Sequence, residues 1–223
     1  MERSLKIIVT TDASGAQQAA REALAVVIVD VIDMSTTLES ALDAGAYAVL
    51  GASPDFTRAP VKVSPEQMGK EAARHSREAG EGIIIVAEPR VGTDEERLAR
   101  CQKLIKGIEL GKGVIEAVLP NIGAEAAKMA NLNRRVVVAC TDTGGVAYDA
   151  AFQECKWVTT GTVARSLKQK GVQPALSAAR RAVELAKTNL ADGIAVVAAS
   201  RNSMEDILAA QFIANLIMRD DNV

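Results

Sequence analysis

Short apolar runs recur along the chain and alternate with segments whose apolar residues repeat at helical spacing. The runs are rich in valine, isoleucine and alanine, and none shows the strict period-two alternation of a half-exposed antiparallel sheet. Strands that alternate with helices are typical of parallel sheets. The pattern therefore predicts an α/β protein whose mostly parallel sheet or sheets are flanked by helices. The predicted strands are residues 5–10, 25–32, 46–51, 82–87, 135–140, 156–160 and 193–199.

Capping signals place the predicted helices. Thr36 stands three residues before Glu39, which is the spacing of a capping box, so a helix is predicted over residues 38–43 with Gly45 as its stop. Ser203 stands three residues before Asp206 and predicts the start of a helix that runs to about residue 218. Two more helices, each with a proline at or just before its start, are predicted over residues 65–79 and 175–189.

Little periodicity is present over residues 53–64, and residues 90–113 are ambiguous, since their charge suggests a solvated helix and Gly107, Gly111 and Gly113 suggest an irregular exit. The first of these segments contains two prolines and is predicted to be an exposed loop over a site or between lobes. The chain is interpreted as one α/β domain over residues 1–223. A division into two lobes with a boundary near 110–135 is left open.

Composition narrows the classes of function. A net charge of −2 and an aromatic content of 3% argue against nucleic acid and against an anionic membrane as partners. No apolar segment is long enough to span a bilayer, and the first residues are unlike a signal peptide. The three cysteines fit no metal or redox motif, so a reducing cytoplasm is the predicted location. The choice between a monomer and a homo-oligomer stays open.

The single histidine limits the available chemistry. His75 lies in a polar stretch with helical propensity, and nothing beside it suggests a nucleophile triad. A zinc site with several histidines is excluded. Acid–base or metal chemistry would rest on carboxylates, hydroxyls, lysines or backbone groups, which suits the hard cation Mg²⁺ better than zinc.

The clearest candidate for a site is the end of the apolar run 25–32, where Asp30 and Asp33 precede the hydroxyls of Ser35, Thr36 and Thr37. Ligands of open α/β sheets bind just beyond the carboxyl ends of the strands. Two interpretations remain open. Either a carboxylate binds a divalent cation beside a helix N-terminus that holds an anion, or the segment is a plain helix cap with solvated aspartates.

Four other predicted strand ends carry small polar or charged residues, at 87–90, 141–146, 161–166 and 200–206. Residues 141–146 read Thr-Asp-Thr-Gly-Gly-Val, in which glycines let backbone N–H groups approach a phosphate. This turn is neither a Walker A loop nor a dinucleotide fingerprint. If the strands are parallel, these ends share one edge, where Arg90, Arg165 and Arg201 either recognise a phosphate or sulfonate or are solvated.

Two motifs resemble those of the 2-phosphosulfolactate phosphatase family, which contains Mg²⁺-dependent phosphatases of coenzyme M biosynthesis. Residues 28–37, Ile-Val-Asp-Val-Ile-Asp-Met-Ser-Thr-Thr, are similar to the family's Val-Ile-Asp-Val-Leu-Arg-Ala-Thr-Thr-Thr. Residues 203–208, Ser-Met-Glu-Asp-Ile-Leu, are similar to its Ser-Leu-Glu-Asp-Val-Leu. The resemblance extends from about residue 25 to the C-terminus, with weaker matches at residues 87–88, 120–123, 140–145 and 161–162.

This resemblance implies a Mg²⁺-dependent phosphatase that hydrolyses a small acidic phosphoester. It implies that Asp30 and Glu205 are catalytic and that Asp30, Glu88 and Asp206 bind the cation. The residues expected to hold the substrate, through hydroxyl, amide and backbone groups, are Ser35, Thr36, Thr37, Asn121, Thr141, Thr143, Gly144, Gly145, Gly161 and Thr162.

The chain departs from the family pattern at three positions. Asp33 and Val146 stand where the family has arginine, and Thr143 stands where it has asparagine. These replacements leave open a non-catalytic or substrate-divergent protein that binds a small anionic ligand on the same scaffold. A third alternative is an aspartyl-phosphate phosphatase of the haloacid dehalogenase type. That class needs Asp-x-Asp, and the spacing from Asp30 to Asp33 is one residue too long.

Overall fold

The computed structural model describes residues 5–219, in which strands alternate with connecting helices. The strands are β1 (Lys6–Thr11), β2 (Leu24–Val29), β3 (Ala48–Ala52), β4 (Ile83–Ala87), β5 (Ile115–Pro120), β6 (Val136–Cys140), β7 (Val158–Gly161) and β8 (Gly193–Ala198). The helices are α1 (Asp12–Arg21), α2 (Ser35–Asp43), α3 (Pro65–Ala79), α4 (Asp94–Ala99), α5 (Gln102–Leu110), α6 (Gly144–Phe152), α7 (Gln173–Asn189) and α8 (Met204–Arg219). A 3₁₀ helix covers Gly123–Lys128.

The described strands pair in parallel and form two four-stranded sheets. Sheet A has the order β1-β8-β2-β7, and sheet B has the order β3-β6-β4-β5. The predicted α/β class with parallel sheets flanked by helices is confirmed. Sheet B comes from one continuous part of the chain, whereas sheet A combines strands from both ends. The last strand, β8, lies between β1 and β2.

The two faces of sheet A enter different apolar clusters because side chains alternate along a strand. Val27 and Val29 of β2 pack in the cluster that contains α7 and α8. Val26 and Ile28 belong to the larger cluster, which also contains sheet B. Helices α2 and α6 contact strands of both sheets and therefore lie between them, whereas α3 and α5 pack together against sheet B.

Helix α6 is buried along its whole length. Its residues are small or apolar apart from Asp149, as expected for a helix that is covered on every side. A Cβ atom at Gly144 would overlap the Asp30 carboxylate, and one at Gly145 would overlap the carbonyl of Ala52. The two glycines therefore let α6 begin directly against the carboxyl ends of β2 and β3.

All seven predicted strands are present, with shifted ends. Strand β2 ends at Val29, so Asp30 and Asp33 lie in the turn that follows it. Strand β5 was not among the predicted strands. It lies at the edge of sheet B, and Glu116 and Pro120 interrupt the apolar run that marks the other strands. Edge strands tolerate such residues because one side of the strand makes no ladder hydrogen bonds.

The capping box predicted at Thr36 is wrong. Helix α2 begins at Ser35, and its N-cap, Met34, makes no side-chain capping bond. Thr36 instead donates its hydroxyl to the carbonyl of Val31 at 2.5 Å, and Glu39 pairs with Arg181. The other predicted helices are confirmed, including the cap of α8.

Residues 53–64 form the predicted loop, between β3 and α3. Asp149 holds both of its ends. The Ser53 hydroxyl donates to Asp149 Oδ2 at 2.5 Å, and the backbone N–H of Ser64 donates to Oδ1 at 2.9 Å. Burial raises the pKa of Asp149, and the hydrogen bonds from Ser53 and Ser64 oppose that shift. The 53–64 loop is therefore attached at its base to the most buried helix of the protein.

Candidate functional site

The two sheets meet where β2 and β6 end. Asp30 follows β2 of sheet A, and Thr143 and Gly144 follow β6 of sheet B. Thr143 Oγ1 donates to Asp30 Oδ2 at 2.8 Å, and the Gly144 N–H donates to the same oxygen at 2.6 Å. Asp30 is therefore in direct contact with the turn at residues 141–145.

Asp30 is 3% exposed and its carboxylate caps the N-terminus of α6. A third donor, the N–H of Asp33, reaches Oδ1 at 3.1 Å. Burial raises the pKa of Asp30, the hydrogen bond from Thr143 lowers it, and the charge of Asp33 raises it further. The result is an oriented, desolvated carboxylate at the centre of the strand ends, which is the environment in which functional carboxylates are commonly found.

Asp206, in the first turn of α8, is the second carboxylate at this point. Its Oδ1 accepts the N–H of Val31 at 2.9 Å, so it lies directly beside the Asp30 turn. Burial raises the pKa of Asp206 to about 6, and the charge of Asp30 adds to the increase. The Ser203 hydroxyl accepts the N–H of Asp206 at 3.2 Å and fixes the start of α8. Asp206 thus lies beside the turn that contains Asp30, and the charge of Asp30 disfavours its ionised form.

A chain of polar side chains leads from α2 to the turn after β4. The Thr37 hydroxyl donates to Asn121 Oδ1 at 2.7 Å, and Asn121 Nδ2 donates to Glu88 Oε1 at 3.2 Å. Arg90 forms an ion pair with Asp33, and its Nε lies 3.5 Å from Glu88 Oε1. Asn121 is fully buried. The structure therefore places Glu88 in this chain, among amide and guanidinium groups.

Several predicted substrate ligands already make bonds within the protein. The Gly145 N–H donates a hydrogen bond to Thr141 Oγ1 at 2.8 Å, and the Gly144 N–H donates one to Asp30. The Thr36 and Thr162 hydroxyls lie 2.9 Å apart. Ser35 Oγ accepts the N–H of Asp30 at 2.9 Å and donates to the carbonyl of Ile28 at 3.0 Å. These residues build the base of the site. Gly161, at the end of β7, is buried against Ala178, Val27 and Ile213.

Two carboxylates in the predicted motifs do not join Asp30. Glu205 is exposed and accepts a hydrogen bond from the Ser203 hydroxyl at 3.2 Å. Asp142 is exposed and pairs with Arg100 at 2.6 Å. On α8 it is therefore Asp206, and not its neighbour Glu205, that faces the Asp30 turn.

No group of three or more histidine, cysteine, aspartate or glutamate side chains within residues 5–219 is arranged to hold a metal ion. Mg²⁺ does not require such a cage, since it commonly binds one or two carboxylates together with waters and phosphate oxygens of the substrate. Asp30 and Asp206, which lie at neighbouring turns, supply carboxylate oxygens of the kind that this pattern uses. A bound cation would offset the unfavourable effect of the Asp30 charge on Asp206.

A cavity of about 370 Å³ opens beside this centre. Thr143 forms part of its wall and connects it to Asp30, and Ser200 contributes a second hydroxyl. Asp12 lies at the end of β1 with φ of 62°, a left-handed conformation that is uncommon outside glycine. The 53–64 loop also lines the cavity, through Phe56, Thr57, Arg58, Ala59 and Pro60.

Sequence reasoning missed the contributions of Asp12 and Arg58 to this cavity, whereas Ser200 belongs to the predicted strand end at residues 200–206. The segment Thr10-Thr11-Asp12-Ala13-Ser14-Gly15 follows the first apolar run and has the same small polar composition as the other strand ends. That signal could have identified Asp12. Arg58 lies in an irregular loop, where the sequence gives no indication of which way a side chain points.

A larger cavity of about 460 Å³ lies near the N-termini of α3 and α5. It is lined by Lys70, Lys103 and Lys106, but all three are engaged within the protein. Lys70 and Lys106 pair with Glu66, and Lys103 Nζ donates to the carbonyl of Asp55 at 3.2 Å. We therefore place the candidate site at the smaller cavity, which adjoins Asp30.

A scan of protein-family models finds no family that matches this chain. A search of curated proteins also finds no match. None of the helices in the described part of the chain combines the length and apolarity needed to cross a bilayer.

Proposed function

We propose that this chain is a Mg²⁺-dependent phosphatase of the 2-phosphosulfolactate phosphatase type that hydrolyses a small acidic phosphoester. The observation that carries the proposal is the buried Asp30 carboxylate, oriented by Thr143 and Gly144 beside a second carboxylate, Asp206. The motifs at residues 28–37 and 203–208 supply these two carboxylates. Their proximity is what a shared catalytic role requires.

Each residue has a defined task in this proposal. Asp30 and Asp206 would hold Mg²⁺, which supplies positive charge that polarises the phosphoryl group and offsets its developing negative charge. Thr143 and the α6 N-terminus fix the Asp30 carboxylate in one orientation. The hydroxyl of Ser200 lies on the same cavity wall and is available to a phosphoryl oxygen. The Gly144 and Gly145 N–H groups are already bonded and serve positioning rather than substrate binding.

The test is turnover of a panel of small phosphoesters by the purified protein, with Mg²⁺ and with EDTA. Asp30→Asn and Asp206→Asn should each lower kcat/KM by about a hundredfold or more, since each removes a cation ligand. Glu205→Gln is the matched control, because its carboxylate is one residue away but exposed. It should keep near-normal activity. A wild-type protein without Mg²⁺-dependent turnover, or a fully active Asp30→Asn variant, would refute the proposal.

The second candidate function is binding of a small anion without catalysis. The pairing of Asp33 with Arg90 favours it, because an acidic residue occupies the position of a family arginine and engages the nearby guanidinium. In that case small phosphoesters would raise the thermal unfolding midpoint without being hydrolysed. Phosphatase turnover at ordinary enzyme rates would exclude this alternative.

A further inference from the structure

The arginines around the candidate site differ in whether an acidic residue neutralises them. Arg90 pairs with Asp33, Arg100 with Asp142, and Arg201 with Asp12. The Arg201 pair is reinforced by its own backbone N–H, which donates to Asp12 Oδ1 at 2.9 Å. The positive charges on this side of the cavity are therefore already compensated.

Arg58 is the exception. Within residues 5–219 it takes part in no hydrogen bond or ion pair, and its side chain is exposed. It nevertheless lines, from the 53–64 loop, the same cavity as Thr143 and Ser200. An uncompensated guanidinium in a small cavity that also contains hydroxyl groups is suited to an anionic group of a ligand, because it can form two parallel hydrogen bonds to an oxyanion.

The loop presents Arg58 from a firm base. Asp149 fixes Ser53 and Ser64, so both ends of the segment that carries Arg58 are held in place. Phe56, two residues before Arg58, lines the same cavity and is 86% exposed, which is unusual for a large apolar side chain.

We propose that Arg58 binds the second acidic group of the substrate, a carboxylate or sulfonate, while the phosphoryl group occupies the side of Thr143 and Asp30. This inference rests on the proposed phosphoester substrate. It assigns the preference for an acidic substrate to one residue outside the Asp30–Asp206 centre. The cavity volume of about 370 Å³ is sufficient for a small substrate with two acidic groups.

The test compares 2-phospholactate with isopropyl phosphate, which has the same skeleton with a methyl group in place of the carboxylate. Binding to the full chain is measured by calorimetry in EDTA, and kcat/KM is measured separately with Mg²⁺. Wild type should prefer 2-phospholactate, and Arg58→Ala should weaken its binding about tenfold while leaving isopropyl phosphate unchanged. Lys62→Ala, which removes an exposed cation from the same loop outside the cavity, should leave both affinities unchanged.

The inference is overturned if wild type does not discriminate between the two compounds. It is also overturned if Arg58→Ala weakens both equally, or if Lys62→Ala has the same effect as Arg58→Ala. Failure of the proposed function gives a different result. In that case wild type turns over neither compound with Mg²⁺, whereas the Arg58-dependent preference in binding persists.

Discussion

At the scale of single residues, this protein is unusual for its buried carboxylates. Asp30, Glu39, Asp149 and Asp206 are all at most 3% exposed. Each accepts hydrogen bonds from the protein, since an unpaired buried carboxylate is very costly. Asp30, Asp149 and Asp206 lie at or near the candidate site, and each connects segments that are far apart in sequence. Glu39 has a different position, because it faces Arg181 of α7 across the end of β7.

Glu39 should make stability depend on pH. Burial raises its pKa to about 7 from the ordinary value of 4.5, the Arg181 charge opposes that rise, and the charge of Asp43 adds to it. The folded protein therefore holds this proton more tightly than the unfolded chain does. The free energy of unfolding should fall as pH rises from about 4.5 to about 7, by an amount on the order of 3 kcal/mol from this residue.

The measurement is urea unfolding of wild type and Glu39→Gln at pH 5 and pH 8. Glutamine keeps an acceptor for Arg181 but cannot ionise. The variant should therefore gain stability relative to wild type as pH rises. Identical pH dependence in the two proteins would show that Glu39 does not titrate in this range.

At the scale of elements, helix α6 connects the candidate site with the 53–64 loop. Its first residue contacts Asp30, and Asp149 one turn later holds the base of the loop. The helix is buried on all sides and cannot shift without disturbing both sheets. Asp30 and the base of the 53–64 loop are thus both attached to one buried helix, which favours a well-defined distance between them.

Asp149→Asn should loosen the loop before it disturbs the sheets. One carboxylate oxygen becomes an amide donor, so either Ser53 or Ser64 loses its acceptor, at a cost of about 1–3 kcal/mol. Amide hydrogen exchange should increase over residues 53–64, while β2 and β6 remain protected. Glu154→Gln, in an exposed pair with Arg21 just beyond α6, is the control and should change little. Faster exchange throughout the protein would contradict a local role for Asp149.

The packing of α3 against α5 depends on two glycines that face the other helix. A Cβ atom at Gly69 would overlap the carbonyl oxygen of Leu104, and one at Gly107 would overlap that of Glu66. Gly69→Ala should therefore destabilise the protein by about 1–3 kcal/mol, although alanine favours the helix itself by about 1 kcal/mol. Denaturant unfolding measures whether the free energy of unfolding of Gly69→Ala is lower or higher than that of wild type. Gln67→Ala, at an exposed position of α3, should have little effect, and a stabilised Gly69→Ala variant would refute the close packing.

Much of the fold could be predicted because parallel strands that are buried on both faces read as apolar runs, as in Ile83–Ala87 and Val136–Cys140. Edge strand β5 could not be predicted in this way because Glu116 and Pro120 interrupt its apolar run. The site was predictable only in part. Asp30 could be identified as a candidate because it follows an apolar run. Asp149 is buried, but a polar residue at its helical position would be predicted to be solvated. Its burial follows from the second sheet, which no local pattern reveals.

At the scale of the whole molecule, the two sheets differ in how the chain builds them. Strands β3 to β6 follow one another and form sheet B, whereas sheet A needs β1 and β2 together with β7 and β8. In the described sheet, β1 pairs only with β8. Sheet A is consequently held together by contacts between residues that are very far apart in sequence.

Removal of β8 and α8 should abolish the native structure. A chain that ends at Leu190 leaves β1 without its pairing strand and β2 with only β7. It should lose the cooperative unfolding transition seen by circular dichroism. A chain that ends at Arg219 retains every described element and should unfold like the full-length protein. Cooperative unfolding of the shorter chain with a native-like spectrum would show that sheet A does not depend on β8.

The central position of β8 has a consequence for synthesis on the ribosome. Strands β1 and β2 emerge before β8, the strand that pairs with β1 and separates it from β2. Until Ala198 has left the exit tunnel, the edges of β1 and β2 that β8 covers have no native partner. Nascent chains of this protein are therefore expected to require protection from aggregation from the emergence of β2 until β8 has been translated.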